Sequence, residues 1–189
     1  MARQRTARQV ELLDRLVDLV AAEGFAGFTL DDLAARMRCS KTTLYALADS
    51  KQELVVEVVK QFFRASVPQV EARVAGARDP ADRVVAYLEA VADYLRPLSR
   101  AFMDDLSGFA PAAEVYRVNT AAATQRIREL IAEGIEAGAF REVNAAFAAE
   151  MAASTMFGIQ RGEMFARLEI SDAEAYAELA SLLVHALTP

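Results

Sequence analysis

The segment RMRCSKTTLYALADSKQEL, residues 36–54, holds two polar helix-start signals with only a short apolar stretch between them. Ser40 can cap one helix and Ser50 the next, because a serine hydroxyl accepts a hydrogen bond from a backbone N–H in the first turn. Leu44 and Leu47 then fall on one side of the intervening helix, at helical spacing from the cap. The segment therefore predicts a very short helix with one buried and one exposed side.

Two further helices are predicted before this segment. Apolar residues recur at helical spacing over residues 10–20, and the pattern stops at Gly24, which suits a left-handed C-cap. Thr29 offers an N-cap oxygen, and Asp32 three residues later can return the bond in a short version of the capping box. We therefore expect a long first helix and a short second one.

The two short helices are joined by the tripeptide RCS, residues 38–40, and longer helices flank them. Ser50 and Glu53 match a full capping box, which begins a fourth helix. Two short helices in this setting are typical of a helix-turn-helix, in which the second helix enters the major groove of DNA. A groove about 12 Å wide admits one helix, which explains why a chain would build so short an element.

The composition fits a globular protein with two unlike parts. The chain has 189 residues, is 54% hydrophobic and contains no run of 18 apolar residues or signal-peptide pattern, so we expect a cytoplasmic location and no membrane partner. Its net charge is −6, yet residues 1–51 hold eight Lys/Arg against seven Asp/Glu. This asymmetry indicates one part that faces an anionic partner, although an ordinary solvated surface would give the same balance.

Helical patterns continue to the end of the chain. Asp79 and Pro80 mark the start of a helix to about residue 95, Pro97 the start of a shorter one, and SGFAP at 107–111 a break. A long helix over about 112–137 follows, and the last two helices are predicted over about 144–161 and 172–187. We therefore expect an all-α fold of about nine helices.

The quoted motif, extended to FTLDDLAARMRCSKTTLYALADSKQEL at residues 28–54, resembles the N-terminal DNA-binding domain of the TetR family of transcriptional regulators. The resemblance covers about residues 8–62, and SKTTLY is its most specific part. It implies a helix-turn-helix domain, placed here at residues 1–49, and a helical effector-binding and dimerisation domain at 50–189. A helix over 50–64 is expected to connect them.

The resemblance also implies the residues that face a double-stranded DNA operator. Lysine can donate to guanine or phosphate, threonine can bond phosphate or touch a thymine methyl, and the tyrosine hydroxyl can reach a phosphate. Capping alone would explain Thr29 and Ser50 equally well. The expected DNA-binding set is Thr29, Arg38, Ser40, Lys41, Thr42, Thr43, Tyr45 and Lys51.

The chain departs from the family pattern after Tyr45. Family members commonly have His or Tyr and then Phe where this chain reads ALA at 46–48, so a phosphate contact and a large core aromatic are missing. Leu47 with Phe25 and Phe28 can refill the volume. Phosphate binding would then depend more on arginines, namely Arg3, Arg5, Arg8 and Arg38.

A small-molecule effector is expected in an apolar cavity of the C-terminal domain, because aromatic and methionine residues cluster near SGFAP and on the later helices. The same residues can equally be ordinary core. Of the neighbouring Asp104 and Asp105, at most one can face inward. The expected ligand-binding set is Phe102, Met103, Leu106, Phe109, Tyr116, Asn119, Met156 and Phe157.

The expected function is a ligand-responsive repressor that releases its operator when a largely apolar effector binds, acting as a homodimer through the last two helices with Ala180 a candidate contact. The alternative is a small-molecule-binding protein of the same fold that has lost sequence-specific DNA recognition. No metal site, cofactor or enzymatic activity is expected, because Cys39 and His185 are the only residues of their kinds and lie far apart in sequence.

Overall fold

The computed structural model describes residues 5–161 and 170–189, and every regular element within them is an α-helix. The expected all-α fold with about nine helices is confirmed. The helices are α1 (Ala7–Glu23), α2 (Leu30–Met37), α3 (Lys41–Tyr45), α4 (Lys51–Gly76), α5 (Pro80–Leu95), α6 (Arg100–Gly108), α7 (Ala110–Glu136), α8 (Ala145–Arg161) and α9 (Asp172–Leu187).

Several helix starts follow from local capping chemistry. Thr29 precedes α2, Asp79 precedes α5 with proline at the first helical position, and Ser171 precedes α9. In each case the side-chain oxygen accepts a backbone N–H three residues on, which satisfies a donor that the helix itself leaves unpaired. These three predicted starts are confirmed to the residue.

The chain divides into two compact units. Unit 1 comprises the chain up to Ala65 together with Pro97–Arg117, and unit 2 comprises Ser66–Arg96 and Val118–Pro189. Both α4 and α7 contribute residues to each unit. The functional boundary that we placed between residues 49 and 50 stays a prediction.

In unit 1, α1 packs against α2 and α6, and α2 packs against α3. The buried side chains come from all four helices and include Leu13, Leu33, Leu44 and Phe102. Burying a side chain of this size stabilises the fold by roughly 1.5–3 kcal/mol. The short helix α3 is therefore held by its tertiary packing, since a helix of five residues has little stability alone.

In unit 2, α9 packs against α5 and α8. The core includes Leu88, Ile131 and Ile159, all at most 1% exposed. Ala180 is also in this core, with 3% of its surface exposed. Its expected place on the face towards a partner subunit is therefore wrong, because α9 turns this side towards its own neighbouring helices.

The fourth helix extends beyond its predicted end. We expected it to end near residue 64, but α4 continues to Gly76 through Pro68, which lacks a backbone N–H. Val70 and Val74, one helical turn apart, are buried in the unit 2 core. The expected end at 64 is therefore wrong, and the burial of these valines offsets the hydrogen bond that proline cannot donate.

The start of α6 is also later than predicted. Pro97 lies before the helix, and Ser99 caps it by accepting a 3.1 Å hydrogen bond from the N–H of Phe102. Proline suits a first helical position, but here the capping serine two residues on determines the start.

Candidate nucleic-acid interface

The short helix α3 presents one polar side to solvent. Ser40 caps it, and its Oγ accepts a 3.2 Å hydrogen bond from the N–H of Thr43. Leu44 is 1% exposed and anchors the other side, whereas Lys41 and Thr42 are exposed and Tyr45 is 46% exposed. The predicted division of this helix into a buried and an exposed side is confirmed.

The turn between α2 and α3 has a left-handed residue. Arg38 adopts φ 53° and ψ 46°, and the following Cys39 N–H donates to Ala34 O at 2.9 Å. A non-glycine residue rarely adopts this conformation, and the hydrogen bonds that close the end of α2 hold it there. Arg38 is exposed, in the turn between α2 and α3.

Two other arginines hold the helices that support α3. Arg15 in α1 donates to the carbonyl of Met37 at 3.1 Å. Arg36 forms two hydrogen bonds with Glu23, at 2.7 and 2.8 Å, and stacks 5.5 Å from the ring centre of Phe28. The hydrogen bond from Arg36 lowers the pKa of Glu23. These arginines fix α1 against α2 and do not belong to the predicted DNA-binding set.

Lys41 has an acidic partner that the sequence analysis did not foresee. Its ammonium lies 2.7 Å from Asp31 in α2, and the hydrogen bond and charge of Asp31 raise the pKa of Lys41. Both side chains are largely exposed, so water screens their attraction and the pair contributes little to stability. A phosphate can therefore displace Asp31 at small cost.

Lys51 lies in the first turn of α4, where the helix N-terminus adds to its positive charge. Its Nζ donates to the carbonyl of Ala26, in the connection between α1 and α2, at 3.1 Å. Ser50 caps α4 as predicted, but the Glu53 carboxylate accepts from the N–H of Asp49 and not from that of Ser50. One half of the expected capping box is therefore present, and in the other half Glu53 bonds to the N–H of Asp49 in place of that of Ser50.

Thr29 and Thr43 already make hydrogen bonds within the fold. Thr29 and Asp32 form the full reciprocal capping box, at 3.2 and 2.8 Å, and the hydrogen bonds from Thr29 lower the pKa of Asp32. The Thr43 hydroxyl lies 2.9 Å from the hydroxyl of Ser40. A structural role is thus observed for these residues, and their role in DNA binding stays a prediction.

The basic N-terminal residues do not all remain available. Arg5 pairs with Glu57 of α4 at 2.6 Å, and its side chain is 23% exposed. Arg8 is exposed, and Arg3 lies outside the described residues. The phosphate role expected of these arginines stays a prediction, and in Arg5 the ion pair with Glu57 would compete with it.

The departure at residues 46–48 is accommodated by the surrounding core. Leu47 and Phe25 are buried, whereas Phe28 is half-buried beneath Arg36. The expected replacement of a missing aromatic by Leu47 and Phe25 agrees with this packing. The carbonyl of Ala46 accepts a 3.4 Å hydrogen bond from the side chain of Gln9, which ties the segment to α1.

The expected ligand-binding residues divide between the two units. In unit 1, Phe102, Met103 and Leu106 are buried, and the ring of Phe25 meets those of Phe102 and Phe109 edge to face at 6.2 and 6.1 Å. These contacts give the phenylalanines a core role. Tyr116 packs similarly against the ring of Phe63, with centroids 5.7 Å apart.

The other three expected ligand-binding residues lie in unit 2. Asn119 is half-buried, and Met156 is buried in the unit 2 core. Phe157 is 39% exposed, with the guanidinium of Arg161 5.7 Å from its ring centre. Effector binding by either group of residues stays a prediction.

The described part of the chain offers no constellation for metal chemistry, since no three His, Cys, Asp or Glu side chains converge within it. Burial raises the pKa of the Cys39 thiol, which disfavours the reactive thiolate. His185 Nδ1 lies 2.8 Å from the carbonyl of Ser181 in its own helix. Over the same residues, none of the helices combines the length and apolar character needed to cross a membrane.

The sequence analysis did not predict the contacts that two acidic residues of this region make. The ion pair of Asp31 with Lys41 was not predicted, because the two residues lie in different helices. Ion pairs can be predicted from sequence spacing only within one helix, at three or four residues apart. Asp105 was considered as a ligand contact, but its carboxylate accepts hydrogen bonds from the N–H groups of Phe25 and Ala26. Residues so far apart in sequence meet only in the folded protein. The adjacent aspartates of α6 were the only sign in the sequence that this helix could accept such hydrogen bonds.

Comparisons with known proteins agree with this geometry. A family model described as bacterial regulatory proteins of the tetR family matches residues 12–58. The HTH-type transcriptional regulator YvaF of Bacillus subtilis (strain 168) is 49% identical over 53 residues, 28% of this chain. The match spans only 27% of that relative's length, so it concerns a part of each protein.

Two solved structures are similar over nearly the whole chain. A transcriptional regulator from Saccharomonospora viridis, in complex with choline, has a TM-score of 0.84 at 17% identity and covers 98% of this chain and 100% of its own. A TetR transcription regulator from Haloarcula marismortui has a TM-score of 0.82 at 16% identity, with coverages of 97% and 100%. At such identities the likeness concerns the fold.

Proposed function

We propose that this chain, which belongs to the TetR family of bacterial regulatory proteins, is a ligand-responsive regulator of transcription that binds an operator through α2 and α3. The observation that carries the proposal is the geometry of α3. Its apolar side is anchored by Leu44, and its other side exposes Lys41, Thr42 and Tyr45. Cationic and hydroxyl side chains on an exposed helix of this size suit the major groove.

Each side chain has a distinct task in the proposed complex. Lys41 exchanges Asp31 for a guanine edge or a phosphate, because its present ion pair is exposed and weak. Thr42 contacts a phosphate or a thymine methyl, and the Tyr45 hydroxyl reaches a phosphate. Lys51 donates to a phosphate from the N-terminus of α4, where the helix dipole also favours an anion.

A homodimer through α8 and α9 is part of the proposal. These helices expose large apolar side chains away from the unit 2 core: Phe147 is 65% exposed, Met151 56% and Leu182 67%. Phe147 and Met151 are four residues apart and lie on one face of α8. We infer that Leu182 of α9 continues this apolar face, because a contiguous exposed apolar surface is typical of a protein–protein interface. A two-fold dimer would read a two-fold operator.

The proposed effector is small and largely apolar. Its binding is proposed to release the protein from its operator, so the protein would act as a repressor. Support comes from the apolar character of the candidate residues in each unit, such as Met103 and Met156. Methionine side chains adapt readily to the shape of a bound molecule. Choline, the ligand of the Saccharomonospora viridis regulator, is a cationic alternative that a ligand screen should include.

A second candidate function is a small-molecule-binding protein of the same fold without sequence-specific DNA recognition. It is favoured by the ALA segment at 46–48, which lacks one phosphate contact of the family pattern, and by the pairing of Lys41 with Asp31. No enzymatic activity is proposed in either case.

The experiment is a selection of bound fragments from random DNA by the full-length protein. The regulator predicts enrichment of one two-fold sequence, with half-site centres separated by about one helical turn of DNA. Apolar compounds and choline are then screened for loss of binding to the enriched fragment. Failure to enrich any sequence, with a folded protein that still binds a small molecule, would favour the second candidate.

A further inference from the structure

A carboxylate from α6 holds the connection between α1 and α2. Asp105 Oδ2 accepts hydrogen bonds from the N–H of Phe25 at 2.5 Å and from the N–H of Ala26 at 2.7 Å. Both N–H groups lie beyond the end of α1 and have no partner within a helix. Hydrogen bonds to an ionised carboxylate are roughly twice as strong as neutral ones, so this contact fixes the backbone there.

Gly24 makes room for this carboxylate. Its φ is +79°, and a Cβ built on it would lie 2.6 Å from Asp105 Oδ2 and 3.2 Å from the carbonyl carbon of Ala101. A side chain at position 24 would therefore be strained by its backbone and would also displace Asp105. The glycine that ends α1 and the aspartate in α6 fit each other.

The same connection holds the head group of Lys51. Ala26 donates its N–H to Asp105, and its carbonyl accepts from Lys51 Nζ at 3.1 Å. One residue of the α1–α2 connection is thus bonded to α6 on one side and to α4 on the other. All three residues belong to unit 1.

We propose that Asp105 is a positioning residue for DNA binding, which acts through Ala26 to place the Lys51 ammonium for a phosphate of the operator. The inference rests on the proposed function, since it requires Lys51 to contact DNA. Lysine has a long stem whose ordering costs conformational entropy. A fixed carbonyl acceptor pre-orders the ammonium, which has three N–H donors and can therefore also donate to a phosphate.

The test compares Asp105→Asn with Asp104→Asn in the full-length protein. Asp104 is the exposed neighbour of Asp105 in α6, so its replacement makes the same charge change without touching the connection. Removing a negative charge by itself favours DNA binding, so D104N should bind the selected operator as tightly as the unaltered protein or slightly more tightly. We expect D105N to bind about ten-fold more weakly than D104N, the scale of one lost charge-assisted contact.

A double-mutant cycle with Lys51→Ala separates positioning from general loss of structure. In the K51A background, Asp105→Asn should weaken binding by less than about two-fold, because the group that it positions is gone. Hydrogen exchange of the Ala26 amide, measured without DNA, should accelerate in D105N and not in D104N. If D105N does not fold, Asp105→Glu keeps the charge but moves the carboxylate, and it should show the same dependence on Lys51.

The outcomes distinguish this inference from the proposed function. If the unaltered protein selects an operator and K51A weakens binding, but D105N binds like D104N, positioning by Asp105 is refuted and the proposed function stands. An equal loss for D105N in the Lys51 and K51A backgrounds would also refute it. If the unaltered protein selects no sequence, the proposed function and the inference both fail.

Discussion

The exposed side of α3 carries a lysine, threonines and a tyrosine, whereas the exposed side of α8 and α9 carries phenylalanine, methionine and leucine. On α3, Lys41 forms an ion pair with Asp31, and the Thr43 hydroxyl lies 2.9 Å from that of Ser40. On α8 and α9 the large side chains Phe147, Met151 and Leu182 are over half exposed. The exposed side of α3 suits an anionic partner, which can replace its weak polar contacts. The exposed side of α8 and α9 suits an apolar partner, which would remove these side chains from water.

The largest expected effect comes from a charge on the apolar surface. Leu182→Asp should raise the dimer dissociation constant by about a thousand-fold, because an unpaired charge buried in an interface costs about 3–5 kcal/mol. Sedimentation velocity over a concentration series measures it. Val67→Asp, at a valine of α4 that is 56% exposed, is the matched control and should leave the dimer intact. A folded L182D protein that dimerises normally would show that this surface is not the interface.

A second change acts inside unit 2 and leaves its exposed surface unaltered. A Cβ on Gly134 would lie 2.1 Å from Cδ2 of Phe140, so Gly134→Ala forces that ring to move. We expect the free energy of unfolding to fall by about 1–3 kcal/mol or more, as for other overpacked cores. Urea denaturation measures the loss.

Gly76→Ala is the matched control for this core substitution. Gly76 also lies in a helix, and a Cβ there meets nothing within 4 Å. Alanine favours a helix over glycine, so G76A should leave stability unchanged or slightly raised. Equal destabilisation by the two substitutions would contradict the close packing of Gly134 against Phe140.

The next change removes the predicted phosphate contact at the start of α4, beside α3. Lys51→Ala should weaken operator binding by about ten-fold and lower the slope of log affinity against log salt by about one. Lys60→Ala removes the same charge from the same helix, but Lys60 pairs with Glu57 at 2.9 Å. The control should therefore change the slope much less. Fluorescence anisotropy over a range of KCl concentrations compares them, and equal slopes for all three proteins would remove Lys51 from the interface.

The smallest effect concerns the cap of α2. The hydrogen bonds from Thr29 hold the pKa of Asp32 below its ordinary value of 3.8, so the folded state favours the ionised form. Its contribution to stability is complete well above pH 3.8 and is lost as the pH falls through the lower folded-state value. Asp32→Asn should therefore flatten the acid limb of the stability profile, measured by urea denaturation from pH 6 to about pH 3. An unchanged acid limb would contradict this role for the cap.

The two surfaces also differ in how far the sequence predicts them. Thr29, Ser40 and Ser171 cap helices through residues three positions away, so short sequence patterns were enough to place α2, α3 and α9. The exposed side of α3 followed from the same local spacing. A pattern within a few residues carries this information because the physical interaction is itself local.

Features that depend on distant parts of the chain could not be predicted in this way. Ala180 and Leu182 are both apolar residues of α9, but only the packing of α5 and α8 decides that the first is buried and the second exposed. The continuation of α4 past Pro68 depends on the burial of Val70 and Val74 in unit 2. The bonds of Asp105 to residues eighty and seventy-nine positions away are of the same kind.

The most direct test of the account is the number of chains bound to one operator. Sedimentation equilibrium of a fluorescently labelled duplex carrying the selected sequence, titrated with the full-length protein, measures this number. The account predicts two chains per two-fold site, bound through α3 and joined through α8 and α9. A complex of one chain per site, or no complex with any selected duplex, would contradict it.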